Sequence, residues 1–183
     1  MKIPSNAQKI LDAQKIELKL DRMAYEALEM SYGNDALVIL GIEPGGGLAL
    51  SKIISEKIKK YDAQKVVEYS TIYINKPSPL SEFVIIKDNL DLNNKTILIV
   101  DDVGNSGRTL FYAMQPLAKF NLKKLIIAVL VDRTHKTFPI KADIVGMPIA
   151  TTLNEHIIVQ FENEGRAVSF NGKLIFCIKI DWG

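Results

Sequence analysis

An apolar run that ends in two adjacent carboxylates most constrains what this chain can become. The stretch is Ile97-Leu-Ile-Val-Asp-Asp-Val-Gly-Asn-Ser-Gly-Arg-Thr109. Its four leading aliphatic residues read as a strand buried on both faces, the kind found in parallel sheets covered by helices. A loop, Gly104-Asn-Ser-Gly, follows, and Thr109-Leu-Phe-Tyr-Ala-Met-Gln-Pro-Leu-Ala reads as a helix. Strand, turn and helix N-terminus together gather exposed backbone N–H groups that suit a phosphate. The acid pair stands at the carboxyl end of its strand, where open α/β sheets place their ligands. A phosphate cradle beside two carboxylates needs a ligand with an anionic group and either hydroxyls or a metal. A phosphorylated sugar with Mg²⁺ meets that description.

The rest of the chain supports such a sheet. Residues 6–32 carry the 3.6-residue apolar rhythm of one or two amphipathic helices, and Tyr32-Gly-Asn-Asp is a plausible stop. Ala36-Leu-Val-Ile-Leu-Gly is a strand-length apolar run leading into Glu43-Pro-Gly-Gly-Gly and a helical pattern from Leu48 to Lys60. Lys65-Val-Val-Glu-Tyr-Ser-Thr-Ile-Tyr-Ile is rich in β-branched and aromatic residues and reads as another strand. Residues 75–94, opening Asn75-Lys-Pro-Ser-Pro-Leu-Ser, are irregular and predict a mobile excursion around a short strand, Phe83-Val-Ile-Ile. Leu125-Ile-Ile-Ala-Val-Leu-Val-Asp is a third strand of the buried type. After Asp132 the helical patterns stop. Short runs at Asp143-Ile-Val, Ile157-Ile-Val-Gln-Phe, Ala167-Val-Ser-Phe and Lys173-Leu-Ile-Phe are separated by turn residues, Asn171-Gly among them. The expected fold class is α/β: a largely parallel central sheet flanked by helices, with a small β-rich C-terminal appendage. One domain is expected over residues 1–183, with a core at about 10–160 and the appendage at about 161–183.

Composition narrows the partners. A net charge of +2 does not demand a nucleic acid. The single cysteine, Cys177 in Leu174-Ile-Phe-Cys-Ile, reads as a core strand residue. Two histidines and one cysteine, widely scattered, are too few for a zinc site. No apolar run approaches the roughly 20 residues needed to span a bilayer, and Met1-Lys-Ile-Pro-Ser-Asn lacks the apolar stretch of a signal peptide. A cytoplasmic protein without membrane partners is expected.

Each candidate site has a plain structural alternative. Asp101 and Asp102 could be a solvated strand end or a helix cap, but the loop that follows at once favours a ligand. Gly104-Asn-Ser-Gly-Arg-Thr offers backbone amides, the hydroxyls of Ser106 and Thr109 and the guanidinium of Arg108, without being a P-loop. Gly45-Gly46-Gly47 is either a second anion loop or an ordinary strand-to-helix turn. Two anion loops at two strand ends point to a substrate with phosphates at both ends. His135 is either a structural hydrogen-bonding group or a ligand contact.

The motif at 97–109 resembles the 5-phosphoribosyl-1-diphosphate (PRPP) signature of the type I phosphoribosyltransferases. The stretch Leu130-Val-Asp-Arg-Thr-His-Lys-Thr-Phe-Pro-Ile-Lys-Ala-Asp-Ile-Val-Gly is similar to one branch, the bifunctional pyrimidine-operon attenuation regulators with uracil phosphoribosyltransferase activity. The resemblance implies the phosphoribosyltransferase fold and Mg²⁺-dependent transfer from PRPP to a nucleobase, uracil favoured, giving a nucleoside monophosphate and pyrophosphate. It implies that Asp101 and Asp102 hold the ribose hydroxyls, directly or through Mg²⁺. Asn105, Ser106, Gly107, Arg108 and Thr109 would grip the 5-phosphate, and Glu43, Pro44, Gly45 and Gly46 the pyrophosphate. Segment 75–94, with Lys76, would close over the site. Arg133, His135, Lys136 and Lys141 would contact the base or RNA. A dimer or larger homo-oligomer is implied as well.

Several positions depart from the family pattern. Gly45 stands where a basic residue is usual, and Glu43 adds a negative charge nearby. Lys76 is the only cation at the start of the mobile loop, and a lysine is a point charge rather than a bidentate fork. Gly104 replaces an aliphatic residue. Asn105 occupies the place of an aspartate that acts on the base in purine-salvage members, and a neutral amide cannot be that base. On the helix that faces RNA in the regulators this chain has Asp21, Arg22 and Tyr25, and an acid there opposes phosphate binding. These departures keep an alternative open: a catalytically weak nucleotide-sensing regulator of pyrimidine genes.

Overall fold

The structure, a computed structural model, describes residues 8–11, 13–33, 36–150, 155–161 and 174–180. The chain runs β1 (Gln8–Leu11), α1 (Ala13–Met30), β2 (Ala36–Glu43), α2 (Gly47–Tyr61), β3 (Val66–Tyr73), β4 (Ile85–Ile86), β5 (Thr96–Gly104) and α3 (Arg108–Ala113). A 3-10 turn (Gln115–Leu117), β6 (Lys124–Arg133), β7 (Ile144–Ile149), β8 (Glu155–Phe161) and β9 (Leu174–Ile180) complete it. The central sheet has the order β4-β3-β2-β5-β6-β7. Its five long strands are mutually parallel, and only the two-residue β4 runs antiparallel at one edge.

Strand alternation decides how this sheet is covered. In β5, Leu98 and Val100 join one core, while Ile97 and Ile99 join the other. Both faces are apolar, so both need a covering layer. On the first face α1 buries Ile16, Leu20, Met23, Ala24 and Ala27, and α2 buries Leu50, Ile54 and Ile58 at four-residue spacing. The second face is closed by Leu110 and Ala113 of α3, Leu117 of the 3-10 turn, and Ile74, Val84 and Leu92. The irregular excursion between β3 and β5 is thus pinned to the core at both ends, while Leu80 and Phe83 between the pins stay exposed.

Connectivity sets where the sheet leaves a crevice. From β2 the chain crosses to β3 on one side, and β5 then pairs with β2 on the other. The direction of winding therefore switches between β2 and β5, and the loops after them, 43–47 and 104–108, flank that switch point.

Two expectations are corrected. Residues 8–11 form a strand rather than the start of a helix; Gln8, Lys9 and Leu11 pair with Ile178, Cys177 and Phe176 of β9. A short apolar run does not reveal its own period, and a distant strand decided it. The helix expected over 109–118 is only Arg108–Ala113, because Pro116 cannot donate to an α-helical ladder and the chain tightens to a 3-10 turn. The run at Asp143-Ile-Val, inside the expected core, leads into β7, which extends the central sheet in parallel with β6. The small second sheet, β1-β9-β8, instead recruits its third strand from the N-terminal end, and Ile157 and Val159 of β8 pack on the α1 side of the core. Ala167-Val-Ser-Phe and the Asn171-Gly turn lie outside the described residues. Among the described residues no helix is long and apolar enough to cross a membrane.

Candidate active site

The carboxylates at the end of β5 lie in unlike environments. Asp101 is buried, and its Oδ1 accepts from Lys76 Nζ at 3.2 Å and from the Asp102 N–H at 3.1 Å. Asp102 is half-buried and accepts the Val103 N–H at 3.1 Å. Burial pushes the Asp101 carboxyl well above the usual carboxylate range, the neighbouring Asp102 charge adds to the shift, and Lys76 opposes it.

Gly45 faces this cluster from the loop after β2. Its φ of +135° lies in a region that side-chain-bearing residues rarely enter. A Cβ there would stand 2.8 Å from Lys76 Nζ and 3.8 Å from Asp102 Oδ1. Strand order thus brings Gly45, Lys76, Asp101 and Asp102 together from three separate stretches. At the loop's other end Glu43 is ion-paired with Lys87, and its carbonyl accepts the Ile74 N–H at 2.9 Å.

These carboxylates fit a Mg²⁺ ion that arrives with its substrate. Such ions commonly use one or two carboxylates together with substrate phosphates and keep several waters. Asp102 is open enough to serve, with Asp101 behind it. Among the described residues no cluster of three or more ligating side chains could hold an ion alone.

The loop at 104–108 is braced by the chain that follows β6. Gly107, at φ +80°, precedes α3, and the Arg108 N–H donates to Ser106 Oγ at 3.3 Å. The Ser106 carbonyl accepts from the Thr137 and Phe138 N–H groups at 3.1 and 2.9 Å. Arg108 is exposed and Thr109 half-buried beside this loop.

An open cavity of about 350 Å³ adjoins it, lined by Asp132, Arg133, Lys136, Phe138, Ile140 and Lys141 among others. Arg133 Nη1 donates to Asn105 Oδ1 at 2.8 Å, which turns the amide N–H pair of Asn105 away from the guanidinium. Lys136 is drawn inward: it pairs with Asp132 Oδ1 at 2.7 Å and donates to the Ile140 carbonyl at 3.0 Å. Gly104 has a steric reason, since a Cβ there would lie 2.5 Å from Asp132 Oδ1. His135 is exposed and does not line the cavity.

The residues expected to face RNA are engaged within the fold. Arg22 pairs with Glu26 and donates to the Val145 and Gly146 carbonyls at 2.6 and 3.0 Å. Asp21 accepts from Lys57 at 2.7 Å and from the Tyr61 hydroxyl, and Tyr25 stacks on Tyr61 with ring centroids 4.2 Å apart. Two site neighbours were not singled out from the sequence, Asp132 and Lys87. Asp132 ends its apolar run as Asp101 ends another, so the signal existed. Lys87 carried none, because only the fold brings it to Glu43.

This arrangement of strand ends defines a class, and comparison with known proteins agrees. Residues 6–164 match the phosphoribosyl transferase domain family, and the chain belongs to it. Phosphoribosyl transfer is therefore its class of chemistry. Within the family it lies near the proteins named bifunctional protein PyrR. The one from Caldicellulosiruptor bescii is 36% identical over 171 residues, covering 88% of this chain and 93% of that protein. The one from Macrococcus caseolyticus is 35% identical over 161 residues, covering 84% and 91%. Among solved structures, a hypoxanthine-guanine phosphoribosyltransferase from Bacillus anthracis superposes with a TM-score of 0.71 at 17% identity, over 99% of this chain and all of that one. At that identity the likeness speaks for the fold alone.

Proposed function

We propose that this protein carries out Mg²⁺-dependent transfer of the ribose 5-phosphate unit of PRPP to a nucleobase, uracil favoured. The observation that carries the reading is the meeting of Asp101, Asp102, Lys76 and Gly45 at the switch point, beside the Ser106–Thr109 loop. The carboxylates accept from the ribose hydroxyls. Ser106, Arg108, Thr109 and the loop amides hold the 5-phosphate. The loop at 43–46 receives the pyrophosphate, and the excursion at 75–94 covers the site and keeps water from the reactive sugar. In the reaction the C1–O bond breaks, with its electron pair leaving on pyrophosphate. A ring nitrogen of the base forms the new bond to C1, and the base N–H proton is released. Asp102, with Asp101 behind it, would hold Mg²⁺, which when bound would supply positive charge to the leaving group.

Uracil is favoured because the charge lining the cavity is mostly cationic. Arg133, Lys136 and Lys141 line it, and the one carboxylate beside them, Asp132, is paired with Lys136. A donor-lined wall suits a base rich in carbonyl acceptors. A second reading, a nucleotide-sensing regulator with little turnover, draws on the absence of any cation in residues 43–46 and on the printed name of the relatives. Against an RNA partner stand the internal bonds of Asp21 and Arg22.

The test is pyrophosphate release from PRPP with Mg²⁺ against uracil, hypoxanthine, guanine, xanthine, adenine and orotate. The enzyme reading expects turnover with uracil in the usual range of about 1–10³ s⁻¹. Nucleotide binding without turnover on any base would leave the sensor.

A further inference from the structure

The loop that is to receive pyrophosphate, Glu43-Pro-Gly-Gly46, contains an acid and no cation. Pyrophosphate is strongly anionic, and backbone amides alone would have to balance it against Glu43. Two lysines reach this loop, both from the excursion between β3 and β5. Lys76 Nζ occupies the space that a side chain at Gly45 would fill, and the glycine backbone at φ +135° keeps that space open. The Lys76 side chain is 27% exposed, so its charge is only partly screened by solvent. Its bond to Asp101 is 3.2 Å, longer than the roughly 2.7–2.9 Å of a tight charge-assisted pair, and so is open to exchange. Lys87 pairs with Glu43 and offsets the negative charge that the loop itself carries.

We propose that the cations serving the pyrophosphate of PRPP come from the segment after β3 rather than from the loop after β2, Lys76 making the contact and Lys87 screening Glu43. This rests on the ribose-phosphate reading given above and deepens it. Gly45 and Lys76 act as a complementary pair: the missing side chain admits the incoming ammonium. Before substrate binds, Lys76 sits on Asp101; when pyrophosphate arrives, the ammonium turns to the anion and frees the carboxylate for the ribose. The leaving group then meets a cation positioned by the same segment that covers the site.

Calorimetry on the intact protein tests this with two probes in Mg²⁺: inorganic pyrophosphate, and uridine monophosphate, which lacks the pyrophosphate. Lys76→Met is expected to weaken pyrophosphate by about tenfold or more while moving the monophosphate by less than about twofold, and Lys76→Arg to retain most of the affinity. Lys87→Met is expected to cost about threefold for pyrophosphate, restored when Glu43→Gln is added, because the unscreened acid is then gone. Pyrophosphate binding unchanged in Lys76→Met overturns the proposal while leaving the ribose-phosphate reading intact. Equal losses for both probes overturn it too, since Lys76 would then be only the counter-ion of Asp101. A wild-type protein that binds neither probe overturns the underlying reading and this proposal with it.

Discussion

Two aspartate–lysine pairs in this protein are built from the same groups and shifted in opposite directions. Asp21, between α1 and α2, accepts from Lys57 and from the Tyr61 hydroxyl, and these bonds hold its carboxyl below the ordinary range. Burial works against the Lys57 charge, yet hydrogen bonds to Asp21 and Glu17 outweigh it and hold the ammonium above its usual value. The bond to Asp21 pushes the Tyr61 hydroxyl up to about 12. Asp101, at the end of β5, is buried against a second carboxylate with one loose lysine, and its carboxyl is pushed up. The first pair is satisfied by the fold; in the second, burial and a neighbouring carboxylate outweigh the single lysine. Titratable groups in the second condition cluster at functional sites, and here it coincides with the switch point between β2 and β5.

Ways to break that contrast follow from the largest effect to the smallest. Asp102→Asn should lower kcat/KM for PRPP by about 10–100-fold, the worth of one charged hydrogen bond, and leave the melting temperature nearly unchanged. A matching loss of stability would put Asp102 with the structural carboxylates. Gly104→Leu drives a side chain into the Asp132 carboxylate, which should cost about 1–3 kcal/mol of stability by overpacking. It should also release Lys136 into the cavity and raise KM for the base. An unchanged melting temperature would show that Asp132 does not depend on the glycine.

Asp101→Asn should raise the melting temperature at neutral pH by a few degrees, since about 1 kcal/mol corresponds to roughly 2–4 °C at this size. Its raised folded value means that the contribution of Asp101 is greatest in acid and is lost as pH rises through the folded value. Asp21→Asn should do the reverse, lowering stability at neutral pH by about 1 kcal/mol or less because the pair is partly exposed. Asp21 stabilises above about pH 4 and loses that contribution as pH falls through its depressed folded value, so the variant should flatten the acid limb of a melting-temperature profile. Lys57 and Tyr61 lose theirs as pH rises, for Tyr61 between about 10 and about 12. Parallel acid limbs in the Asp21 and Asp101 variants would abolish the distinction.

How far the sequence discloses these regions follows from the range of the interactions. The acid pair and the 104–109 loop are neighbours along the chain, and the buried apolar runs of β2, β5 and β6 announce a parallel sheet by themselves. Lys76 with Asp101, Lys87 with Glu43 and Asn105 with Arg133 meet only because β3, β2, β5 and β6 lie in that order. No local pattern encodes such meetings. The same holds for β1, whose pairing with β9 joins opposite ends of the chain. Gly104 reads as a departure from its family in the sequence and as a close approach to Asp132 in the structure.

The central claim is that the end of β5 is a ribose-phosphate site whose carboxylates await a substrate. Calorimetric titration of PRPP with Mg²⁺ into the wild-type protein and into the Asp101→Asn, Asp102→Asn double variant tests it most directly. Saturable binding to the wild type, lost in a double variant that still melts cooperatively, is the predicted result. Wild-type-like affinity in the double variant would contradict the account.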